Sequence, residues 1–232
     1  MRLTDQLKAE YKMTLRTVLE SRDGWDLALK KLQDLIALKG VEARAEAENY
    51  ASRYQGRRAA MVFDIVASRQ RRYQSRVLPM VAKFEASDSA TDLKTLAASQ
   101  SSPVTGLQKG EWETIRNVAN GLVEFGAKAG ISNEDEICLR WAEVTEELRF
   151  VHRLDPFVGH VSGIGPALFA YARMRSGAQA IKPDIRLKNG LTSLGLEAPR
   201  GEIALLVICE ELAKCVDLDL LVFDQLLWWL DA

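Results

Sequence analysis

Residues 158–188 read VGHVSGIGPALFAYARMRSGAQAIKPDIRLK, and this stretch decides the predicted fold. It predicts a helix, a hairpin at Gly163-Ile164-Gly165, a second helix from Pro166, and then Asp184 at the start of a third helix. Glycine accepts positive φ, so the backbone can turn tightly at both glycines while Ile164 anchors the hairpin in the core. A hairpin that opens a helix exposes backbone N–H groups that can hold a phosphate. Asp184, about one helix length later, could lie beside that phosphate.

The remainder of the chain is also predicted to be helical. Apolar residues recur with helical spacing from Leu3 to Val18 and from Val62 to Phe84, and no long stretch alternates with period two. Gly40 and Gly56 are predicted to end helices. Further helices are expected at about 23–38, 41–54, 91–99, 109–129, 133–148, around Phe157 and Val158, and at 166–176, 185–194, 203–215 and 218–230. The predicted fold class is therefore all-α.

The composition is that of a globular protein with an ample core. The chain has 232 residues, of which 47% are hydrophobic and 27% are charged. The longest uninterrupted apolar run is Ile203–Cys209, far short of the roughly 20 residues that a membrane-spanning helix needs. The N-terminus lacks the apolar core of a signal peptide. A cytoplasmic protein without a membrane partner is therefore expected.

Cysteine and histidine are too few and too far apart to predict a metal site. Cys138, Cys209 and Cys215 form no zinc or disulfide pattern, and the last two are interpreted as core thiols. His152 and His160 are eight residues apart, whereas ligand pairs on one helix face favour spacings of three or four. We therefore expect neither a metal nor a cofactor.

The net charge is only −1, but the charges are unevenly distributed. Residues 52–83 carry eight cationic residues against one aspartate, and residues 151–200 carry seven against three anionic residues. Residues 201–232 carry seven anionic residues against Lys214. A basic face would raise the affinity for a phosphate backbone through counterion release. The alternative is that these arginines are ordinary solvated residues on helix surfaces.

Several residues allow a structural as well as a functional interpretation. Asp184 is a good helix N-cap whether or not it also acts on a substrate. Gln70 lies on an otherwise apolar stripe, so it is either a buried residue that needs partners or a surface residue at a helix bend. The tryptophans are expected mainly in the core, although one could line a binding pocket: Trp112, Trp141, Trp228 and Trp229.

Residues 161–188 resemble the hairpin and catalytic-aspartate signature of the endonuclease III-like, or helix-hairpin-helix, DNA glycosylase superfamily. The family's Leu-Pro-Gly-Val/Ile-Gly hairpin matches Val161-Ser162-Gly163-Ile164-Gly165, with serine where proline is common. Asp184, nineteen residues after Gly165, matches the family's essential aspartate. The resemblance extends more faintly back to about Val62, and residues 65–70 are similar to the start of the family's helical barrel. Residues 1–50 show no match.

The resemblance implies an enzyme that hydrolyses the bond between a base and its sugar after the nucleotide has been flipped out of the duplex. Asp184 would stabilise positive charge on the sugar and would orient or deprotonate the attacking water. Ala167 stands where relatives that also cut the strand carry a lysine, so the chain resembles a monofunctional glycosylase. Only Cys209 and Cys215 lie beyond the aspartate helix, so no iron–sulfur cluster is implied.

The same resemblance implies which residues would contact double-stranded DNA. The hairpin amides would bind one phosphate, and Gln70 would fill the gap left by the extruded base. Cations near Gln70 and Asp184, including Arg71 and Lys188, would contact further phosphates. The residues predicted to bind DNA are Gly163, Gly165, Ala167, Gln70, Arg69, Arg72, Lys182 and Arg186.

Two helical subdomains with a cleft between them are expected. Residues 57–180 would form a helical barrel that carries the hairpin, and residues 181–232 would complete the second subdomain. Residues 1–56 would either join that second subdomain or form a family-specific extension. The chain would cross between them near Asp184 and so place this residue in the cleft. The expected partner of this monomer is double-stranded DNA with a damaged or modified base. Alkylated, oxidised, deaminated, mismatched and foreign phage bases all remain open, as does a role in repair or in defence.

Two other functions are compatible with the sequence. A non-catalytic helix-hairpin-helix module would need the basic face but no working Asp184. A helical protein-interaction scaffold would show no salt-sensitive binding to DNA.

Overall fold

The computed structural model describes residues 14–230, and every regular element in that range is a helix. This confirms the all-α fold class for the described residues, and most of the predicted apolar stripe Leu3–Val18 lies outside them. The α-helices are α1 (Leu15–Glu20), α2 (Trp25–Ser52), α3 (Arg58–Ala67), α4 (Leu78–Glu85), α5 (Leu93–Ala98), α6 (Glu111–Ala129), α7 (Glu134–Val144), α8 (Pro166–Ser176), α9 (Ile185–Leu194), α10 (Glu202–Cys215) and α11 (Leu220–Trp228).

Shorter helical turns connect some of these elements. A π-helix at Tyr73–Val77 leads directly into α4, and 3-10 helices occupy Asp88–Ala90, Glu146–Phe150 and His152–Leu154. None of the helices within residues 14–230 is long and apolar enough to cross a membrane.

Many helix ends lie close to their predicted positions because the residues that cap them act locally. Asn133 caps α7 by accepting the N–H of Glu136, and Asp184 caps α9 in the same way. Glycines in the left-handed conformation follow the last residues of α6, α8 and α9: Gly130, Gly177 and Gly195.

The N-terminal region differs from the prediction, because Gly40 does not end a helix. The predicted helices 23–38 and 41–54 form one 28-residue helix, α2. A glycine inside a helix costs about 1 kcal/mol relative to alanine. Tertiary packing outweighs this cost, since Leu32, Leu35 and Ala43 on both sides of Gly40 are buried in the core.

The buried side chains form two main hydrophobic clusters. The first spans Tyr54 to Ala178 and contains α3 to α8, with Phe63, Trp141 and Phe169 among its fully buried members. The second combines α1 and α2 with α9 to α11, and its buried members include Trp25 and Phe223. The predicted boundaries at residues 57 and 180 lie close to the limits of the first cluster. The division into subdomains itself stays a prediction.

The C-terminal helix α11 packs against α2 and α9 and contacts the segment 177–184 that joins α8 to α9. Asp224 Oδ1 accepts the main-chain N–H of Lys182 at 3.1 Å, and Gln179 Oε1 accepts that of Leu221 at 3.2 Å. These two bonds attach the joining segment to α11 just before Asp184.

Candidate functional site

A cavity of about 1440 Å³ lies beside the N-terminus of α9. Its wall is built from the C-terminal half of α2, residues 68–74, residues 163–175, residues 182–188 and the end of α11. Every residue that the sequence predicts to be catalytic or DNA-binding contributes to this wall: Asp184, Gly163, Gly165, Ala167, Gln70, Arg69, Arg72, Lys182 and Arg186.

The two carboxylate oxygens of Asp184 have different surroundings: one caps a helix and the other faces Lys182 in the cavity wall. Oδ1 accepts the N–H groups of Arg186 at 2.9 Å and Leu187 at 3.3 Å, which caps α9. Oδ2 lies 3.5 Å from Nζ of Lys182, and the Asp184 side chain is 27% exposed. The main-chain N–H of Asp184 donates to the carbonyl of Lys182 at 2.8 Å, which closes a tight turn around Pro183 just before the cap. The capping role therefore leaves one oxygen for a ligand in the cavity.

The two glycines of the predicted hairpin have different conformations. Gly163 has φ of +92°, and an added Cβ there would lie 2.6 Å from Oγ1 of Thr114. That hydroxyl donates to the carbonyl of Ser162 at 2.8 Å, and Ile164 is fully buried as expected. Gly165 has φ of −104°, so the prediction that both glycines use positive φ is wrong for this residue. Nothing lies within 4 Å of a Cβ added at Gly165, so its face is open.

The segment before the hairpin is a hydrogen-bonded turn. The helix predicted around Phe157 and Val158 is absent, because the carboxylate of Asp155 captures the N–H groups that a helix would need. Asp155 is fully buried and accepts from the main-chain N–H groups of Phe157, Val158 and Gly159 at 2.7–3.2 Å. It also accepts from Nε1 of Trp141 at 3.2 Å. This network fixes the chain that leads to Gly163.

The N-terminus of α8 is available to a ligand. Pro166 occupies the first turn, and no side chain within the described residues caps this end of the helix. Gly165, Ala167 and Leu168 all line the cavity. Main-chain N–H groups in the first turn of a helix have no partner within the helix and attract anions. The same cavity wall therefore contains an uncapped helix N-terminus and a carboxylate.

Gln70 lies at the tip of a turn and not on a helix face. α3 ends at Ala67, so the interpretation of Gln70 as part of an apolar helical stripe is wrong. Its side chain is exposed, and its φ of +53° is rare for a residue with a side chain. The turn projects Gln70 into the cavity wall.

Arg71 holds this turn against the start of α6 through an ion pair with Glu111. Its guanidinium donates to both carboxylate oxygens of Glu111, at 2.9 and 2.7 Å, and to the carbonyl of Ala67 at 3.0 Å. The Arg71 side chain is 10% exposed and that of Glu111 is 2% exposed. The ion pair and three main-chain carbonyls therefore engage both terminal nitrogens of Arg71, and its contact with DNA stays a prediction.

The other predicted cations differ in their exposure and in the contacts that they make inside the protein. Arg69 and Arg72 are exposed beside Gln70. Lys182 pairs with Asp184, and its Nζ also lies 4.4 Å from the ring centre of Tyr171.

A buried polar network lies behind the cavity wall. Asp64 is fully buried and accepts from the hydroxyl of Tyr171 at 2.8 Å and from that of Tyr73 at 3.2 Å. The guanidinium of Arg175 donates to the same two hydroxyls and lies 3.8 Å from the ring centre of Tyr50. Burial raises the pKa of the Tyr50 and Tyr171 hydroxyls, so both remain protonated. The network fixes three tyrosine rings in the wall.

The end of α11 supplies cavity residues, of which the sequence analysis allowed only for a tryptophan and missed Asp224 and Gln225. Asp224 and Gln225 are buried, whereas Trp228 and Trp229 are 39% and 44% exposed, so the expectation that these tryptophans lie in the core is wrong. Burial raises the pKa of Asp224 to about 7. The available signal was the pair Asp224-Gln225 inside the otherwise apolar segment 220–230, because polar residues are buried only with partners.

No protein-family model, curated protein or solved structure matches the chain. A functional assignment therefore rests on the geometry of the cavity.

Proposed function

We propose that this protein hydrolyses the N-glycosidic bond of a base flipped out of double-stranded DNA and leaves an abasic site. One observation carries the proposal: a part-exposed carboxylate, an uncapped helix N-terminus and an exposed glutamine turn line the same cavity. Each corresponds to a part that such an enzyme needs, namely an acidic group, a phosphate contact and a residue that fills the vacated position in the duplex. The alternatives are a DNA-binding module and a protein-interaction scaffold.

In this proposal the turn before α8 and α8 itself act as the helix-hairpin-helix unit. A DNA phosphate accepts from the main-chain N–H groups of Gly165 and Ala167, where the helix dipole favours negative charge. Arg69 and Arg72 contact phosphates on either side of the Gln70 turn. The cavity then serves as the cleft between the two helical subdomains, and it receives the extruded nucleotide.

Asp184 carries the chemistry in this proposal. Breaking the bond between base and sugar develops positive charge on the sugar, and a nearby carboxylate offsets that charge. Oδ2 of Asp184 also accepts a proton from the water that adds to the sugar carbon. Ala167 offers no amine, so a covalent Schiff base does not form at that position and the strand stays intact.

Duplexes that each contain one altered base separate the three candidate functions. The protein is incubated with each duplex, and the DNA is then treated with alkali, which cleaves at abasic sites. Cleavage at the altered base supports the glycosylase, and salt-sensitive binding without cleavage would favour the DNA-binding module. Absence of both would favour the scaffold.

The phosphate contact predicts the effect of Gly165→Ala. The added methyl group meets open space in the free protein, so folding is unaffected. It occupies the face that a phosphate would approach, and we expect the affinity for duplex DNA to fall about tenfold, as for the loss of one charge-assisted hydrogen bond. Gly201→Ala is the matched control, because Gly201 is also an N-cap glycine with negative φ and open space, and it lies outside the cavity lining. Equal affinities for the two variants would contradict the contact.

The Gln70 turn predicts opposite effects on stability and activity. Gln70→Gly relieves the left-handed backbone of a residue with a Cβ and is expected to stabilise the fold by about 1 kcal/mol. The variant loses the side chain that holds the duplex open, so excision is expected to slow by about tenfold. Asp217→Gly is the control, since Asp217 has φ of +51° and lies outside the cavity lining. Thermal unfolding and single-turnover excision are measured for both, and excision by Gln70→Gly at the wild-type rate would remove Gln70 from the mechanism.

A further inference from the structure

Four of the five aromatic rings that line the cavity have a cation within 5 Å of the ring centre. The negative face of an aromatic ring attracts one positive charge, and that attraction is strongest where water is excluded. The four pairs, with distances from cation to ring centre, are Arg175 on Tyr50 at 3.8 Å, Lys182 on Tyr171 at 4.4 Å, Arg186 on Trp228 at 3.8 Å and Lys39 on Trp229 at 4.6 Å.

The cations in the cavity wall disfavour the binding of a positively charged base. An N-alkylated purine such as 7-methylguanine carries a formal positive charge, and the cavity lining holds eight lysine and arginine residues against Glu46, Asp184, Glu202 and Asp224. The net positive charge of the lining would repel such a base, and a cation already covers one face of four of the aromatic rings. An uncharged base meets no such penalty, and an anionic leaving base would be attracted by the same cations.

The cavity also contains a second carboxyl group close to the first. Asp224 is 5% exposed and lines the cavity from α11. Oδ1 is held by the main-chain N–H of Lys182 at 3.1 Å, and Oδ2 accepts from Nε2 of Gln225 at 3.1 Å. These contacts fix the carboxyl group one turn before Trp228, on the side of α11 that contributes to the cavity wall.

Asp184 and Asp224 differ in burial. Asp184 is part-exposed and caps a helix, whereas Asp224 is buried, and burial raises its pKa to about 7. Asp184 disfavours and Lys182 favours ionisation of Asp224, and Asp224 in turn raises the pKa of the Tyr50 hydroxyl on α2. The charged and titratable groups that face Asp224 come from the joining segment, α2 and α10: Lys182, Asp184, Tyr50 and Cys209.

We propose that the base removed at this site is uncharged, that cationic N-alkylated bases are rejected, and that Asp224 gives the departing base its proton. This inference rests on the proposed glycosylase function and narrows its substrate class. It is supported by the cations on the aromatic wall and by a fixed, buried carboxyl group in the same cavity.

The proposed step balances without a further reactant. The bond between the base nitrogen and the sugar carbon breaks, and its electron pair goes to the base. The carboxyl proton of Asp224 transfers to the base, which leaves neutral. Water adds to the sugar carbon and loses a proton to Asp184. Proton exchange with solvent then restores Asp224 to its acid form and Asp184 to its carboxylate.

The substrate class is tested with wild-type protein and two groups of duplexes. One group contains 7-methylguanine or 3-methyladenine, and the other contains uracil, hypoxanthine or 8-oxoguanine. Each single-turnover excision rate is divided by the spontaneous loss of that base. We expect the best uncharged base to show an enhancement about 30-fold or more above either cationic base, the discrimination available from desolvated cation–π contacts. Equal or greater enhancement for a cationic base overturns the inference and leaves the glycosylase standing. Excision of no base in either group overturns both.

A pair of variants tests the role of the cations. Arg186→Met removes the cation from the Trp228 face and is expected to raise the relative rate on 7-methylguanine several-fold. Lys128→Met is the matched control, because Lys128 covers the ring of Phe157 at 5.0 Å outside the cavity lining. Identical base selectivity of the two variants would overturn the role of the cations.

The pH dependence of excision tests Asp224. Only the protonated carboxyl group can give a proton, so the wild-type rate on an uncharged base is expected to fall about tenfold per pH unit above pH about 7. Asp224→Asn keeps the shape of the side chain and should be slower below pH 7 without that fall. On 7-methylguanine, which leaves without needing a proton, the substitution should change the rate little. A flat wild-type profile between pH 6 and pH 9, or the same profile for both proteins, overturns the assignment.

Discussion

Replacing Asp184 by asparagine is expected to abolish base excision, with a fall of about 10³-fold or more in the single-turnover rate. The loss combines removal of the charge that stabilises the sugar cation with removal of the proton acceptor for water. Asparagine is as good an N-cap as aspartate, so α9 should remain capped through its amide oxygen. The expected variant is therefore folded, binds duplex DNA as well as the wild type, and produces no abasic sites.

Asp92→Asn is the matched control for this experiment. Asp92 caps α5 by accepting the N–H of Thr95 at 2.7 Å, and it lies outside the cavity lining. The two substitutions make the same chemical change at two helix N-caps. Excision rates and melting temperatures of both variants would be compared with those of the wild type. Asp184 would have only a structural role if both variants lowered activity to the same small extent.

Asp155→Ala is expected to produce the largest loss of stability among single substitutions near the site. The carboxylate is fully buried and accepts four N–H groups, three from the main chain and one from Trp141. Its removal leaves these donors without partners in the interior. Breaking such a network costs on the order of 3–5 kcal/mol in the free energy of unfolding. Because the network holds the chain before Gly163, the affinity for duplex DNA should fall as well.

Urea-induced unfolding measures the effect of Asp155→Ala as a shift of the midpoint at constant slope. Asp88→Ala provides the control, since Asp88 is exposed at the start of a 3-10 helix and its substitution should change stability by less than about 0.5 kcal/mol. A loss for Asp155→Ala no larger than that of the control would mean that the turn is held by other contacts.

Features encoded by a few neighbouring residues were predictable from the sequence. The helix that begins after Asp184 depends on a capping side chain and on main-chain groups within three residues of it. The buried position of Ile164 follows from its place between two glycines. Pro166 marks the start of α8 because its fixed φ suits a first helical turn. The signals in these cases lie within one turn of the residue concerned.

Features that depend on tertiary contacts were not predictable from one sequence. Glycine has a low helix propensity, yet α2 continues past Gly40 because the residues on both sides of it pack in the second cluster. Arg71 is one of several arginines in a basic run, and only its distant partner Glu111 distinguishes it from Arg72. The cavity-facing position of Asp224 requires α11 to dock on the segment before Asp184. The resemblance to DNA glycosylases stays a prediction about this assembled site.

Mass spectrometry of the small molecules released from DNA is the most direct measurement of the central claim. Wild-type protein and Asp184→Asn are each incubated with duplexes that carry altered bases, and the low-mass fraction is analysed alongside the intact strands. We predict a free base without its sugar in the wild-type sample alone, together with strands that remain unbroken before alkali treatment. Release of the same base by both proteins, or of none by the wild type, would contradict hydrolysis by Asp184 in this cavity.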